Sequence, residues 1–336
     1  MSETVMDFRK NNDDKYRFDV NANEDIPDTV VALQQGDTPI FSIGDISTIT
    51  GLPKSRKTFL ITALAVAFLR NDGFMSLNSE LPNKRLLIID TEQTRVFVQF
   101  LIRRIYRLMG WNFEDPHKET LRVLSLREIS PEERFKILCN TISDFKPQLV
   151  FIDGSADLLI NTNDEIQSTE MVQNLMRLAS VEKCHICSVV HTNPNSEKTR
   201  GHFGSELQRK SETVMLVYKE ADVTTAKPQF CRSIDFVPFS FVINEKGLPE
   251  QCATVLKRTE NLKEVLEEIY SYAEFLSYGD LRNQLMAKLD KGKTACENRI
   301  ARALNANWIY RDLNGNYRLK FDEDDFVKND ENELPF

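Results

Sequence analysis

The stretch Gly51-Leu52-Pro53-Lys54-Ser55-Arg56-Lys57-Thr58 limits what this chain can fold into more than any other. An apolar, β-rich run (Asp45–Thr50, DISTIT) leads into it, and a helical run, FLITALAVAFL, leads away. A tight turn between a buried strand and a helix presents successive backbone N–H groups, and the positive helix end, to an anion. The spacing is that of the phosphate-binding pattern G-x-x-x-x-G-K-[ST], with Arg56 standing at the second glycine. Lys57 is then placed to reach the β/γ-phosphates of a nucleotide, and Thr58 to hold Mg²⁺. Gly51, Pro53, Lys54, Ser55, Arg56, Lys57, Thr58 and Phe59 are the candidate nucleotide-binding residues. Arg56 is tolerated in one of two ways: its side chain points away, or it lends charge to the phosphates.

Such a loop needs an acidic residue at the end of a neighbouring buried strand to organise Mg²⁺ and its water. Gln148–Ile152 (QLVFI) ends in Asp153, which makes Thr58 and Asp153 the candidate metal residues; the alternative is an Asp that only caps the next helix. A second run, Arg85–Ile89 (RLLII), ends in Asp90-Thr-Glu92. Hydrolysis of ATP needs a group that orients or deprotonates water, and Glu92 is the favoured base. Asp90 is free to shape the turn instead. A third run, Ile186–Val190, ends at His191, which either contacts the γ-phosphate or is satisfied by backbone. Beyond it, Asn193–Phe203 reads as a polar, flexible segment. Its Lys198 and Arg200 are candidates for a cation inserted into a neighbouring subunit's site, or are solvated loop charges.

Cys184-His185-Ile186-Cys187 is not read as a metal site: on a strand the two thiols point to opposite faces. The six cysteines are scattered, which is free-thiol usage of a reducing compartment. At 336 residues, 41% hydrophobic and 28% charged, the chain suits about two globular domains. No apolar run approaches the roughly 18–20 residues that span a bilayer, and the polar, acidic N-terminal stretch has no signal-peptide core. The expectation is a cytoplasmic protein with no membrane partner. A net charge of −8 argues against coating nucleic acid over the whole surface but permits a local basic patch.

Short apolar runs, including Thr213–Tyr218, alternate with helical candidates at Lys57–Arg70, Arg95–Met109, Pro131–Ser143 and Ser168–Ser180. This predicts an α/β fold with a mainly parallel sheet flanked by helices. Residues 228–258 read as further, partly antiparallel strands. The expected division is an arm over 1–40, an α/β domain over 41–258, a small domain over 260–321 and an acidic tail over 322–336.

Residues 41–220, through ITGLPKSRKTF, LLIIDTEQ, LVFIDG and VVHTNPNSEKTRGHFGSEL, resemble the RecA-like ATPase core, closest to RepA-type hexameric helicases of mobile elements. The resemblance implies a homo-oligomer, hexameric or otherwise ring-like, with ATP at subunit interfaces. It implies that Lys57, Thr58 and Asp153 bind Mg-ATP, that Glu92 is the catalytic carboxylate, and that His191 and Arg200 occupy the sensor and arginine-finger positions. The function it points to is an ATP-hydrolysing DNA motor, helicase or loader, serving replication or transfer of a mobile element. The alternative is an ATP-gated DNA-binding regulator.

From Leu262 the pattern is three helices and two short strands around Leu-Asn-Gly-Asn, which resembles a winged helix. The third helix is expected to open near Lys293 with Thr294 as N-cap, burying Ile300 and Leu304 and turning Arg299 and Arg302 outward. Residues 281–320 carry nine Lys/Arg against three Asp/Glu, and Lys291, Lys293, Arg299 and Arg302 are the candidate DNA-binding residues. The tail DEDDFVKNDENELPF has seven acidic residues and one Lys, a composition that does not fold alone. Its ending looks like the tips of bacterial single-stranded-DNA-binding proteins that recruit replication enzymes; alternatively it solubilises the chain or competes with DNA.

Overall fold

The computed structural model describes residues 19–193, 198–254, 262–289 and 292–320. The chain forms two compact units, Met1–Val255 and Leu256–Phe336. The acidic tail, Lys291 and residues 194–197 of the segment after His191 lie outside the described residues.

In the larger unit a hairpin of β1 (Val31–Gln35) and β2 (Thr38–Ser42) precedes β3 (Ile46–Gly51), α1 (Lys57–Leu69), β4 (Leu86–Asp90), α2 (Arg95–Met109) and β5 (Leu121–Ser125). Then come α3 (Pro131–Phe145), β6 (Leu149–Asp153), α4 (Glu165–Glu182), β7 (His185–His191) and α5 (Gly201–Lys210). Four strands close the unit: β8 (Thr213–Glu220), β9 (Val223–Cys231), β10 (Phe239–Ile243) and β11 (Pro249–Cys252). Among the described residues β3–β11 form one sheet in the order β11-β10-β9-β8-β3-β7-β6-β4-β5. The six strands from β8 to β5 are parallel, and β9, β10 and β11 add antiparallel. This is the α/β architecture with a mainly parallel sheet that the alternation of runs requires.

β3, β4 and β6 are buried along their whole length, because helices cover both faces of the sheet. One face packs α1, α2 and the β1–β2 hairpin, around Leu60, Phe68, Leu101 and Phe151. The other packs α3, α4 and α5, around Leu138, Val150, Val172 and Leu207. α1 has no polar stripe: eleven of its thirteen residues are buried, so it is a core helix whose N-terminus is fixed by packing. Cys187 belongs to the first core and Cys184 to the second, as strand alternation dictates, and burial pushes the Cys184 thiol up to about 12.

Three expectations are corrected. The arm does not run to residue 40: Ala32, Leu33 and Ile40 are fully buried in the hairpin. β5, LRVLS, is an unforeseen edge strand. The segment before Phe203 is ordered where described, since Thr192 bridges Thr199 and α5 already begins at Gly201.

The smaller unit holds α6 (Leu262–Tyr270), α7 (Tyr278–Leu289), α8 (Lys293–Asn305) and the antiparallel pair β12 (Ile309–Arg311) and β13 (Tyr317–Leu319), with Leu276 bridging Tyr317. Leu266, Leu281, Leu285, Ile300 and Ile309 form its core. The N-cap of α8 is Gly292, not Thr294, and Gly292 supplies no capping side chain. Lys293 and Arg302 are exposed, whereas Arg299 is half-buried and donates back to Ala295 O at 3.1 Å. No described helix is long and apolar enough to cross a membrane.

Candidate nucleotide site

Parallel strands bring their C-terminal ends to one edge, and ligands of open α/β sheets bind there. The register sets the neighbours: Gly51 pairs with His191 across β3 and β7, and Asp90 pairs with Asp153 across β4 and β6. Residues distant in sequence therefore meet beside the N-terminus of α1.

Lys57 is buried, and its ammonium donates to Gly51 O at 3.1 Å and Leu52 O at 2.9 Å. It also stands 3.0 Å from His191 Nδ1. Burial lowers its pKa to about 8, against the pull of Asp153 and Glu92. Thr58 Oγ1 donates to Asp153 Oδ2 at 2.8 Å. Burial, and then the charge of Asp90, push the Asp153 carboxyl up to about 7. Glu92 Oε1 lies 3.4 Å from His191 Nε2, and that hydrogen bond first of all holds the Glu92 carboxyl below the usual range.

Asp90 does something else. Its carboxylate accepts from the backbone of Glu92 (3.1 Å) and Gln93 (2.7 Å) and from Gln93 Nε2 (2.7 Å). It shapes the turn that carries Glu92. Gly154 was not singled out by the sequence reasoning, yet it governs the same place. At φ 89°, a Cβ there would collide with Thr91 Oγ1 and stand 2.6 Å from Glu92 Cγ. The signal was available in the glycine directly after a strand-end Asp.

Arg56 takes the backbone conformation a glycine would, φ 68° and ψ 30°, and Lys54 is left-handed too, at φ 63°. Each such L-residue costs about 1–2 kcal/mol. The Arg56 guanidinium points away, donating to Asp222 O at 2.6 Å. Of the other loop residues, Gly51 and Ser55 are buried while Pro53 and Lys54 are exposed. Phe59 is half-buried with Arg104 stacked 4.2 Å over its ring. Arg200 caps α5, exposed, its backbone N–H on His191 O at 2.9 Å. Among the described residues its guanidinium makes no hydrogen bond or ion pair with Lys57, Glu92 or Asp153.

The donors fit a Mg-nucleotide. The amides of Lys57 and Thr58 find no backbone acceptor among the described residues, and the Ser55 hydroxyl is buried without a partner. A buried ammonium beside them answers phosphate charge, and a hydroxyl–carboxylate pair is hard oxygen chemistry suited to Mg²⁺. Residues 33–197 match the model of an AAA domain. The match runs from β1 through β7 and takes in Lys57, Thr58, Glu92, Asp153 and His191. By that match the region is similar to P-loop ATPases, a class that hydrolyses nucleotides. The AAA domain match stops short of Arg200, β8–β11 and the smaller unit. No curated protein matches the chain.

Proposed function

We propose that the chain is a RecA/RepA-like ATP-hydrolysing motor acting on DNA, as a helicase or loader, in replication or transfer of a mobile element. The observation that carries the reading is the meeting of Lys57, Thr58, Glu92, Asp153 and His191 at adjoining strand ends. In this reading Lys57 and the loop amides hold the phosphates, and Thr58 and Asp153 hold Mg²⁺, which supplies charge neutralisation when bound. Glu92 orients the attacking water, His191 reports on the γ-phosphate, and Arg200 serves a neighbouring copy in a ring, hexameric by preference. Exposed Lys293 and Arg302 on α8 support DNA contact by the smaller unit, read as a winged helix; Arg299 and Lys291 join them as candidates. The acidic tail is the proposed contact for replication proteins.

A second reading, an ATP-gated DNA-binding regulator, is favoured by the presence in one chain of the nucleotide site and of a smaller unit whose stretch 281–320 is basic. Strand displacement separates the two, since a regulator binds duplex and unwinds nothing. The primary test is to size the protein with and without Mg-ATP while measuring hydrolysis with single- and double-stranded DNA. The motor assembles on Mg-ATP and turns over faster with DNA, and Lys57→Ala and Glu92→Gln abolish turnover. A protein that binds no ATP overturns both readings.

A further inference from the structure

We infer that Arg56 is a positioning residue whose clasp on the β8–β9 turn sets the phosphate loop and transmits its occupancy to that turn. The inference rests on the nucleotide reading of the site. The far end of the clasp, Asp222 and Thr224, lies beyond the AAA domain match, which ends at residue 197.

Arg56 occupies a left-handed conformation that an L-residue keeps only where its surroundings over-determine it. Its carbonyl accepts from Phe59 N at 3.0 Å and Leu60 N at 3.1 Å, so it starts α1. Lys57 and Thr58 follow it directly and move as it moves. Its side chain is 18% exposed and ends on the turn: Nη1 lies 2.6 Å from Asp222 O and 3.4 Å from Thr224 Oγ1, and Nη2 lies 3.7 Å from Asp222 Oδ1.

The far end of the clasp is equally constrained. Glu220 pairs with Val223, which leaves a two-residue turn of Ala221 and Asp222, and Ala221 is itself left-handed at φ 48°. The loop leans on the same strand at its other end, where a Cβ on Gly51 would collide with Val217 O. The phosphate loop is thus held to β8 at Gly51 and to the β8–β9 turn at Arg56. The shortest of the clasp's contacts is to a backbone carbonyl, and the ion pair is long, with the Asp222 side chain 92% exposed. The clasp therefore works through the fork geometry of a guanidinium, which a lysine does not reproduce.

The test measures Mg-ATP binding and amide hydrogen exchange over residues 220–224 in the full chain, for wild type, Arg56→Gly and Arg56→Lys. The wild type is expected to bind and to gain protection in the turn on binding. Arg56→Gly restores the usual residue and relieves the backbone, yet it should bind about tenfold more weakly and lose the protection, without a fall in thermal midpoint. Arg56→Lys, which keeps the charge, should not rescue either property. Binding by either variant at wild-type strength, with the turn still protected, overturns the inference and leaves the nucleotide reading standing. Failure of the wild type to bind Mg-ATP removes that reading and the inference with it.

Discussion

The ammonium of Lys57 stands 3.0 Å from Nδ1 of His191. An ammonium only donates, so Nδ1 accepts and the ring proton sits on Nε2, the nitrogen 3.4 Å from Glu92 Oε1. One imidazole thus orients both the cation that would meet phosphate and the carboxylate that would meet water. His191→Ala should therefore do more than lower kcat by about 10²-fold. The Glu92 carboxyl is depressed first by its hydrogen bond to His191, so without that bond its pKa rises. The carboxylate is then lost at higher pH as the solution is acidified, and the acid limb of the kcat/KM profile moves up. An acid limb that stays in place detaches His191 from Glu92.

Gly154→Ala tests the support beneath Glu92. The added methyl meets Thr91 Oγ1 and Glu92 Cγ in a left-handed backbone, while Lys57, Thr58 and the loop are untouched. Displacing a water-orienting group by an ångström costs about 10²-fold in turnover. We expect kcat to fall by that order with nucleotide affinity unchanged. Parallel loss of affinity would mean the β6 end is holding the loop instead.

The legible parts of this molecule were those where one element carries its own signal. Buried parallel strands read as apolar blocks, and the polar residues at or just past the end of each block, Asp153, Asp90 with Glu92, and His191, stand out against it. The β1–β2 hairpin was missed because VALQQ and TPIFS do not alternate cleanly, although Gly36-Asp37 between them is a hairpin turn signal and Gly36 is left-handed. The direction of Arg56 was left open for a different reason. Its partner Asp222 is 166 residues away, and no local pattern encodes that pairing. The sequence already favours Glu92 over Asp90 as base, and the backbone amides curling onto Asp90 give the physical reason that Asp90 shapes the turn.

Asp153 predicts how the proposed metal site responds to acid. Burial, and then the negative charge of Asp90, raise its carboxyl to about 7, so below that pH a cation must displace a proton to reach it. A raised carboxyl is protonated on the acid side, and the metal is therefore bound less well there. At saturating ATP, the Mg²⁺ midpoint should rise about tenfold from pH 8 to pH 6. Identical midpoints would take Asp153 out of the metal site.

On α8, Lys293→Gln and Arg302→Gln should each weaken DNA binding to a similar degree for every sequence. Each should also lower the slope of log affinity against log salt by about 1, as loss of one phosphate contact does. Arg299→Gln should act mainly on folding, because that side chain is half-buried and bonded back to Ala295 O. Titrations at several salt concentrations decide it, and unchanged slopes for the first two variants would move the DNA contact off α8.

At the opposite end of β7 from His191, His185 makes the fold sensitive to acid. It is fully buried, stacked on Phe41 at 4.5 Å, with Nδ1 2.7 Å from Ser42 O. A carbonyl only accepts, so Nδ1 carries the proton, and Nε2 faces no hydrogen-bond partner. Protonating Nε2 would strand an N–H and a charge in the core, and burial lowers the pKa from 6.5 to about 4. Between those values the unfolded chain binds the proton and the folded chain does not, so stability falls as pH falls through this window. The buried carboxyl of Glu212, 3.9 Å from the ring, is raised by burial and works in the opposite sense at its own titration. Comparing denaturant unfolding of wild type and His185→Gln cancels most of that background. The wild type should lose about 2 kcal/mol relative to the variant between pH 7 and pH 5. A difference that stays constant over that range would mean the imidazole finds a place for its second proton inside the fold.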